Sequence, residues 1–142
     1  MVTATFKYRH RVSYSECTAG NHIYYSRYLD ILELARGEFF RHLGTPMLQW
    51  QEQEIIFPVI ECHLRYHAPA RYDDLLTVEL WLGELRPVCM KFNAVIHNAA
   101  GVKIITAETI HACTGTNEKP RRIPDELAGL LEPYVHSEKT KT

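Results

Sequence analysis

Apolar residues at helical spacing mark the clearest element of the chain. Between Tyr28 and Leu43, apolar side chains recur every three or four positions, and Gly44 follows directly. This period places them on one face of a helix, with Ser26 where an N-cap is expected and the glycine as the stop signal. Three further apolar residues lie outside that face: Leu29, Leu34 and Phe40. The pattern predicts a central helix that is covered over most of its circumference.

The rest of the apolar pattern is typical of strands. Residues 3–12 alternate apolar and basic side chains, which is the period of a half-buried strand. Four more segments are rich in Val, Ile, Leu, Thr and aromatic residues: 55–67, 75–85, 88–98 and 102–114. Short turn signals between the last three favour antiparallel hairpins. One long helix and five strands predict an α+β domain in which an antiparallel sheet wraps the helix.

This pattern also defines the domain organisation. Residues 1–135 are expected to form one domain, with a loop at residues 45–54 and a short helix within 123–134. A polar tail at residues 136–142 is expected to fray. Because a small open sheet leaves unpaired backbone groups at its edges, we expect a homo-oligomer, either a dimer or a tetramer.

Charge and cysteine content exclude several classes of function. The chain has 142 residues, with 16 Lys and Arg against 17 Asp and Glu, so no uniform field is available for nucleic acid or for a membrane surface. The 4 cysteines form no C-x-x-C pair, and no metal site is expected. Neither a membrane span of about 20 apolar residues nor a signal peptide is visible, so we expect a soluble cytoplasmic protein.

Two polar segments stand out from the apolar pattern. The first reads YSECTAGNHIYYSRY at residues 14–28 and continues with ELARGEF at residues 33–39. The second reads YHAPARYDDL at residues 66–75. Together with Gly101 and the strand up to Cys113, they resemble the 4-hydroxybenzoyl-CoA thioesterase family over about residues 3–124. The resemblance implies a hotdog fold, which is a five-stranded antiparallel sheet wrapped around one long helix.

The same resemblance implies a function. We expect hydrolysis of an acyl-CoA or aroyl-CoA thioester to the free acid and CoA, with no cofactor, at sites formed where two subunits meet. A non-hydrolytic acyl-thioester binding protein of the same fold is the alternative. A dehydratase or isomerase on this scaffold ranks last, because fold alone does not determine chemistry.

One position departs from the family pattern. Where the resemblance leads us to expect the catalytic aspartate, the chain has Thr18, while Glu16 stands at the other acidic position and Asn21 replaces a frequent glycine. Thioester hydrolysis needs a base to activate water, and a threonine hydroxyl needs one too. Glu16 or a carboxylate of the partner subunit could be that base, with Thr18 or Asn21 positioning water. His22 could serve instead, because histidine titrates near neutral pH. The third possibility is that hydrolysis has been lost.

Two more residues complete the candidate catalytic set. The resemblance implies that the backbone N–H of Tyr25 polarises the thioester carbonyl, and a helix N-terminus supplies unpaired N–H groups of this kind. Glu33, on the central helix, is the reserve carboxylate. Its position three residues before Arg36 favours a structural ion pair instead.

Basic residues are the candidates for holding the phosphates of CoA. A compact run follows the last strand, and arginine can bind phosphate through two parallel hydrogen bonds. The resemblance places CoA contacts near this end of the chain, and a further arginine lies in the second signature. These candidates are Lys119, Arg121, Arg122 and Arg71.

Overall fold

The computed structural model describes residues 4–136 and contains seven strands. They are β1 (Phe6–Arg11), β2 (Ile55–Ile56), β3 (Val59–Tyr66), β4 (Leu75–Leu85), β5 (Cys89–His97), β6 (Lys103–Ala112) and β7 (Thr114–Gly115). Five of them form one antiparallel sheet in the order β1-β4-β5-β6-β3, and β2 pairs with β7 in a small second sheet. The predicted antiparallel sheet is therefore confirmed.

Three helices accompany the strands. They are α1 (Arg27–His42), α2 (Met47–Glu52) and α3 (Asp125–Leu131), with short 3-10 turns at Tyr14–Glu16 and Glu132–Tyr134. The face of α1 predicted from the period packs against the sheet and buries Tyr28, Ile31, Leu32, Ala35 and Phe39. Of the three apolar residues outside that face, Phe40 is buried, but Leu29 and Leu34 are exposed, so the helix is covered over less of its circumference than predicted. One long helix held by a five-stranded sheet confirms the hotdog architecture. Among residues 4–136, no helix is long and apolar enough to cross a bilayer.

The two ends of α1 differ in how well the sequence predicted them. Gly44 has a positive φ of 86° directly after the helix, so it ends α1 as expected. Ser26 stands at the predicted N-cap position, but its side chain makes no capping hydrogen bond. Its backbone is already helical, with φ −77° and ψ −18°, whereas an N-cap residue is usually extended. A turn closed by the Arg27 N–H and the Tyr24 carbonyl, 2.8 Å apart, begins the helix instead.

Three predicted segments are divided differently in the structure, and one of them, the expected strand at residues 102–114, becomes β6 and β7. The expected loop at residues 45–54 contains α2, which is anchored by Trp50, a side chain only 1% exposed. The expected strand at residues 55–67 is split in two around Pro58. Proline has no N–H to donate to a ladder, so pairing with one neighbour ends there and pairing with another begins after it.

Residue 136 is packed more closely than the sequence suggested. His136, which was assigned to the frayed tail, stacks on Trp81 with ring centroids 5.2 Å apart, and its N–H donates to the carbonyl of Leu82. The remaining tail, 137–142, lies outside the described residues.

The edge strand β3 has little cover. Leu64 is the only residue of β3 that is not exposed. Its neighbours include large apolar side chains, with Val59 51% and Ile60 62% exposed. Residues of α1 and of β3 line the same two cavities at this edge of the sheet, and we call the space between these two elements the groove.

Candidate active site

The first signature folds into a small hairpin that leads into α1. Cys17 and Ile23 form an isolated antiparallel bridge, and the Thr18 N–H donates to the His22 carbonyl at 2.8 Å. Ile23 is buried, and its N–H donates to the carbonyl of Ala70 in the second signature at 2.9 Å. The two signatures are therefore joined in space, and Thr18 and His22 lie opposite each other.

Asn21 occupies the turn of this hairpin. Its φ is 60°, which is the left-handed region that glycine accepts freely and asparagine accepts better than most other residues. The asparagine thus fits where the resemblance leads us to expect glycine. Its side-chain oxygen accepts the N–H of Tyr72 at 3.1 Å, which ties the two signatures together a second time.

The carboxylate of Glu16 is engaged in a local network. Its oxygens lie 2.9 and 3.0 Å from Nε2 of His10, and one of them accepts the Ser13 N–H at 2.8 Å. The other ring nitrogen of His10 lies 3.3 Å from the hydroxyl of Tyr8. The side chains of Glu16 and His10 are shielded from solvent, since they are 13% and 11% exposed. In this arrangement Glu16 stabilises the loop against β1, and it would have to leave these partners to act on water.

Thr18 is exposed at the tip of the hairpin. Its Oγ1 accepts the N–H of Gly20 at 3.3 Å. Within the part of the chain that the structure describes, no carboxylate or imidazole hydrogen-bonds to this hydroxyl. The base that a threonine nucleophile requires is thus missing from a single subunit.

A cavity of about 370 Å³ lies where the hairpin meets the start of α1. We call it the Tyr25 pocket, and its lining residues are His22, Ile23, Tyr25, Tyr28, Tyr66, His67, Ala68 and Pro69. It brings together two residues predicted from sequence, His22 and Tyr25. It also contains Tyr66 and His67, which were not among the predicted site residues although they open the second signature.

The backbone at Tyr25 has the features of an oxyanion site. Among residues 4–136, no acceptor takes the N–H of Tyr25. The hydroxyl of Tyr66 donates to the Tyr25 carbonyl at 3.0 Å, so the edge strand holds this turn in place. Burial raises the pKa of Tyr66, which keeps the hydroxyl protonated as a donor. A fixed, unpaired N–H beside a cavity can stabilise negative charge that develops on a carbonyl oxygen.

Two histidines of the Tyr25 pocket differ in how they are held. Nε2 of His67 lies 3.0 Å from the hydroxyl of Thr106. The ring of His22 has no hydrogen-bond partner among the described residues. His22 is therefore the group in this pocket whose ring nitrogens are available for a water molecule.

A second cavity of about 370 Å³ lies further along α1. We call it the Arg36 pocket, and it is lined by Leu29, Asp30, Leu32, Glu33, Arg36, Val59, Cys62 and Thr109. The predicted ion pair between Glu33 and Arg36 was wrong, because within residues 4–136 neither side chain has an ion-pair partner within 4 Å. Glu33 stands eight residues beyond Tyr25, which is roughly 12 Å along a helix.

The predicted phosphate-binding residues lie at two distant places. Arg71 is exposed in the second signature, close to the hairpin. The run Lys119, Arg121 and Arg122 is exposed after β7, which pairs with β2 beyond the C-terminal end of α1. The 16 residues of α1 span roughly 24 Å. One subunit therefore does not bring the basic run to the Tyr25 pocket.

The fold indicates the class. A five-stranded antiparallel sheet wrapped around one long helix is the hotdog fold of the thioesterases. Residues 12–131 match the model of the thioesterase-like superfamily, and the chain belongs to this family.

Individual relatives agree with the assignment. The acyl-CoA thioester hydrolase YbgC of Escherichia coli O6:H1 is 30% identical over 128 residues, which cover 89% of this chain and 96% of the relative. The acyl-CoA thioesterase YbgC of Haemophilus influenzae is 31% identical over 135 residues, covering 89% and 94%. A crystal structure of a protein from Aquifex aeolicus superposes with a TM-score of 0.85 at 30% identity, covering 89% and 98%.

Proposed function

We propose that the protein hydrolyses acyl-CoA or aroyl-CoA thioesters to the free acid and CoA. The unpaired N–H of Tyr25, on a turn that Tyr66 holds beside a cavity, is the observation that carries this proposal. The relatives named above, which are acyl-CoA thioesterases, support the class of substrate.

His22 is proposed as the general base. It lines the same pocket as Tyr25, and its ring has no hydrogen-bond partner among residues 4–136. Glu16 already accepts hydrogen bonds from His10 and Ser13, so a structural role suits it better. Thr18 faces His22 across the hairpin and is proposed to orient the attacking water.

The reaction follows from these positions. His22 takes a proton from water as its oxygen attacks the thioester carbon, and the carbonyl oxygen gains negative charge beside the Tyr25 N–H. When the tetrahedral intermediate collapses, the carbon–sulfur bond breaks and the CoA thiolate leaves. The imidazolium of His22 returns its proton to that sulfur, so the products are a carboxylic acid and a thiol.

A homodimer built through β3 is proposed to complete the site. The outer edge of β3 presents unpaired backbone groups beside exposed Val59 and Ile60, which a second copy can cover. Antiparallel pairing across a two-fold axis sets the two α1 helices in opposite directions. The basic run Lys119, Arg121 and Arg122 of one subunit then approaches the Tyr25 pocket of its partner. There it can bind the phosphates of CoA, together with Arg71 of the subunit that owns the pocket.

Release of free thiol from a panel of acyl-CoA and aroyl-CoA thioesters tests the proposal. We expect His22→Gln to lower kcat by about 100-fold or more, since general bases contribute roughly that much. Glu16→Gln and Thr18→Ala should lower it less, and His97→Gln, on β5 away from the pocket, serves as the matched control. Full activity of His22→Gln together with a collapse in Glu16→Gln would transfer the role of base to Glu16.

The binding-protein alternative also has one observation in its favour. Among residues 4–136, no carboxylate lines the Tyr25 pocket, and Thr18 stands where the family resemblance leads us to expect one. Tight binding of CoA esters by calorimetry, without thiol release from any ester, would establish this alternative and refute hydrolysis.

A further inference from the structure

The two cavities lie one after the other along a single groove between α1 and β3. Going along α1, Tyr25 and Tyr28 line the first pocket, and Leu29, Leu32 and Arg36 line the second. Going backwards along β3, Tyr66 lines the first pocket, and Cys62 and Val59 line the second. The residues from α1 recur at spacings of three and four, so they share one face of the helix. The groove therefore leads from the thioester position at Tyr25 to Arg36.

Arg36 stands in this groove without an acceptor. Its side chain is half-buried, and burial lowers the pKa of the guanidinium from its ordinary value. Among residues 4–136, Arg36 has no ion-pair partner within 4 Å, and its guanidinium donates no hydrogen bond. Withdrawing a guanidinium from water is unfavourable unless an acceptor meets it, so the position implies an acceptor from another molecule.

Among residues 4–136, Arg36 is the one cation that lines its pocket. Two carboxylates line the same pocket: Asp30 is exposed and lies 3.3 Å from Arg27, and Glu33 is exposed and acts on Arg36 through its charge without approaching it within 4 Å. His111 lies on the inner side, where burial and the charge of Arg36 lower its pKa to about 4, so it is uncharged at neutral pH. The rest of the lining is mostly apolar, with Leu29, Leu32 and Val59.

We propose that the Arg36 pocket binds a carboxylate at the far end of the acyl chain, and that the protein prefers CoA thioesters of dicarboxylic acids. An apolar groove suits the methylene chain, and a guanidinium suits a terminal carboxylate, which it can bind through two hydrogen bonds. This inference rests on the proposed function, because it takes the Tyr25 pocket as the place of the thioester.

The length of the groove sets the length of the chain. Eleven residues separate Tyr25 from Arg36, which is roughly 16 Å along a helix. Because helical side chains lean towards the N-terminus, the guanidinium of Arg36 lies closer to Tyr25 than the backbone of Arg36 does. The distance from Tyr25 to the guanidinium is then roughly 10 Å. One residue of an extended polypeptide has three backbone bonds and spans about 3.5 Å. An extended acyl chain has bonds of similar length, so roughly 10 Å corresponds to an acyl chain of about eight to ten carbons.

Matched pairs of esters test the inference. Thiol release would be compared for octanoyl-CoA and octanedioyl-CoA, and for decanoyl-CoA and decanedioyl-CoA. We expect the native protein to favour the carboxylated member of each pair in kcat/KM. Arg36→Met should lower kcat/KM for the carboxylated esters by about 10- to 100-fold, the range for hydrogen bonds to charged groups, and leave the neutral esters nearly unchanged.

Two further variants serve as controls. Arg41→Met removes an exposed arginine from the same helix, paired with Glu38 outside both pockets, and should leave the ratio of the two rates unchanged. Arg36→Lys keeps the charge but loses the planar pair of donors, so an intermediate ratio is expected. If Arg36→Met proves too unstable to assay, the lysine variant decides, and a native ratio in it would count against the inference.

The outcomes for the inference and for the proposed function are distinct. Hydrolysis of all esters with equal ratios in native protein and Arg36→Met would overturn the inference and leave the hydrolase intact. An equal loss on both members of each pair, together with dissociation of the dimer in sedimentation, would assign Arg36 to a partner carboxylate and also overturn it. If no ester is hydrolysed, calorimetric affinities for octanoyl-CoA and octanedioyl-CoA decide, because the preference for the carboxylate must appear in binding and disappear in Arg36→Met.

Discussion

At the scale of single residues, His111 shows how the interior treats an ionisable group. The ring is 1% exposed, lies 3.2 Å from the carbonyl of Phe57 and 3.0 Å from the hydroxyl of Thr109, and packs edge-on against Phe92. Burial and the nearby Arg36 lower its pKa from 6.5 to about 4. The folded protein therefore contains a neutral imidazole near neutral pH.

This lowered pKa predicts how stability depends on pH. Between about 4 and 6.5 the unfolded chain binds a proton at this residue that the folded protein does not bind, so the free energy of unfolding rises with pH across that window. The contribution of His111 to the free energy of unfolding amounts to roughly 3 kcal/mol. It is fully present above the pKa of the unfolded chain and is lost as pH falls towards 4. Urea titrations at pH 4.5 and pH 7 should show this loss.

Two variants give the comparison. His111→Gln should flatten the difference in unfolding free energy between the two pH values, whereas His63→Gln, on the exposed edge strand, should keep it. Equal pH dependence in all three proteins would show that other groups are responsible.

The contacts of single side chains were also the feature that the sequence predicted least well. The resemblance identified residues 14–28 as the site segment, and the structure folds it into a hairpin and brings His22 and Tyr25 to one pocket. The resemblance could not show that Glu16 is held by His10, because these two residues meet only when β1 and the hairpin pack together. Nor could it show that Arg36 lacks a partner, since an ion pair at helical spacing depends on where the side chains turn.

At the scale of elements, the link between β3 and the start of α1 is the contact most relevant to catalysis. The hydroxyl of Tyr66 donates to the Tyr25 carbonyl at 3.0 Å, and its ring packs edge-on against Tyr28 with centroids 5.7 Å apart. The strand thus fixes the turn whose N–H is proposed to stabilise the transition state.

We expect Tyr66→Phe to lower kcat by about 10-fold while KM changes little, because a donor that moves weakens mainly the transition state. Stability should fall by about 1 kcal/mol, the usual contribution of one hydrogen bond. Steady-state kinetics and thermal melting measure the two effects, with Tyr72→Phe as a control on a nearby exposed tyrosine. A change in stability alone would reduce Tyr66 to a packing residue.

The elements themselves were predictable where periodicity decides them. The long helix and the hairpin strands follow from apolar spacing, and the predicted strand 75–85 coincides with β4. The helix α2 was missed because six residues are too short to show a period. The break at Pro58 was missed because an apolar segment does not reveal which neighbour each half will pair with.

At the scale of the whole molecule, the separation between the Tyr25 pocket and the basic run predicts a test of subunit cooperation. In the proposed dimer, each site takes His22 from one subunit and Arg121 with Arg122 from the other. Subunits carrying His22→Gln and subunits carrying Arg121→Glu with Arg122→Glu should each form weakly active dimers. A mixed dimer regenerates one intact site, so refolding the two together should restore up to about a quarter of native activity.

Thiol release after co-refolding, compared with the two proteins refolded separately and then mixed, measures this recovery. Activity that stays at the level of the separate variants would mean that both sets of residues act within one subunit, or that the arginines take no part.

The exposed tip of the hairpin has a consequence for the history of such a protein. Thr18 is bonded through its backbone to His22, and its side chain meets only the N–H of Gly20. The turn itself depends on Asn21 and on its bond to Tyr72. Position 18, where relatives of this type are expected to carry their reactive group, therefore contributes little to the stability of the hairpin through its side chain. A lineage could exchange that group, lose the reaction and regain it by single substitutions, without passing through an unfolded ancestor.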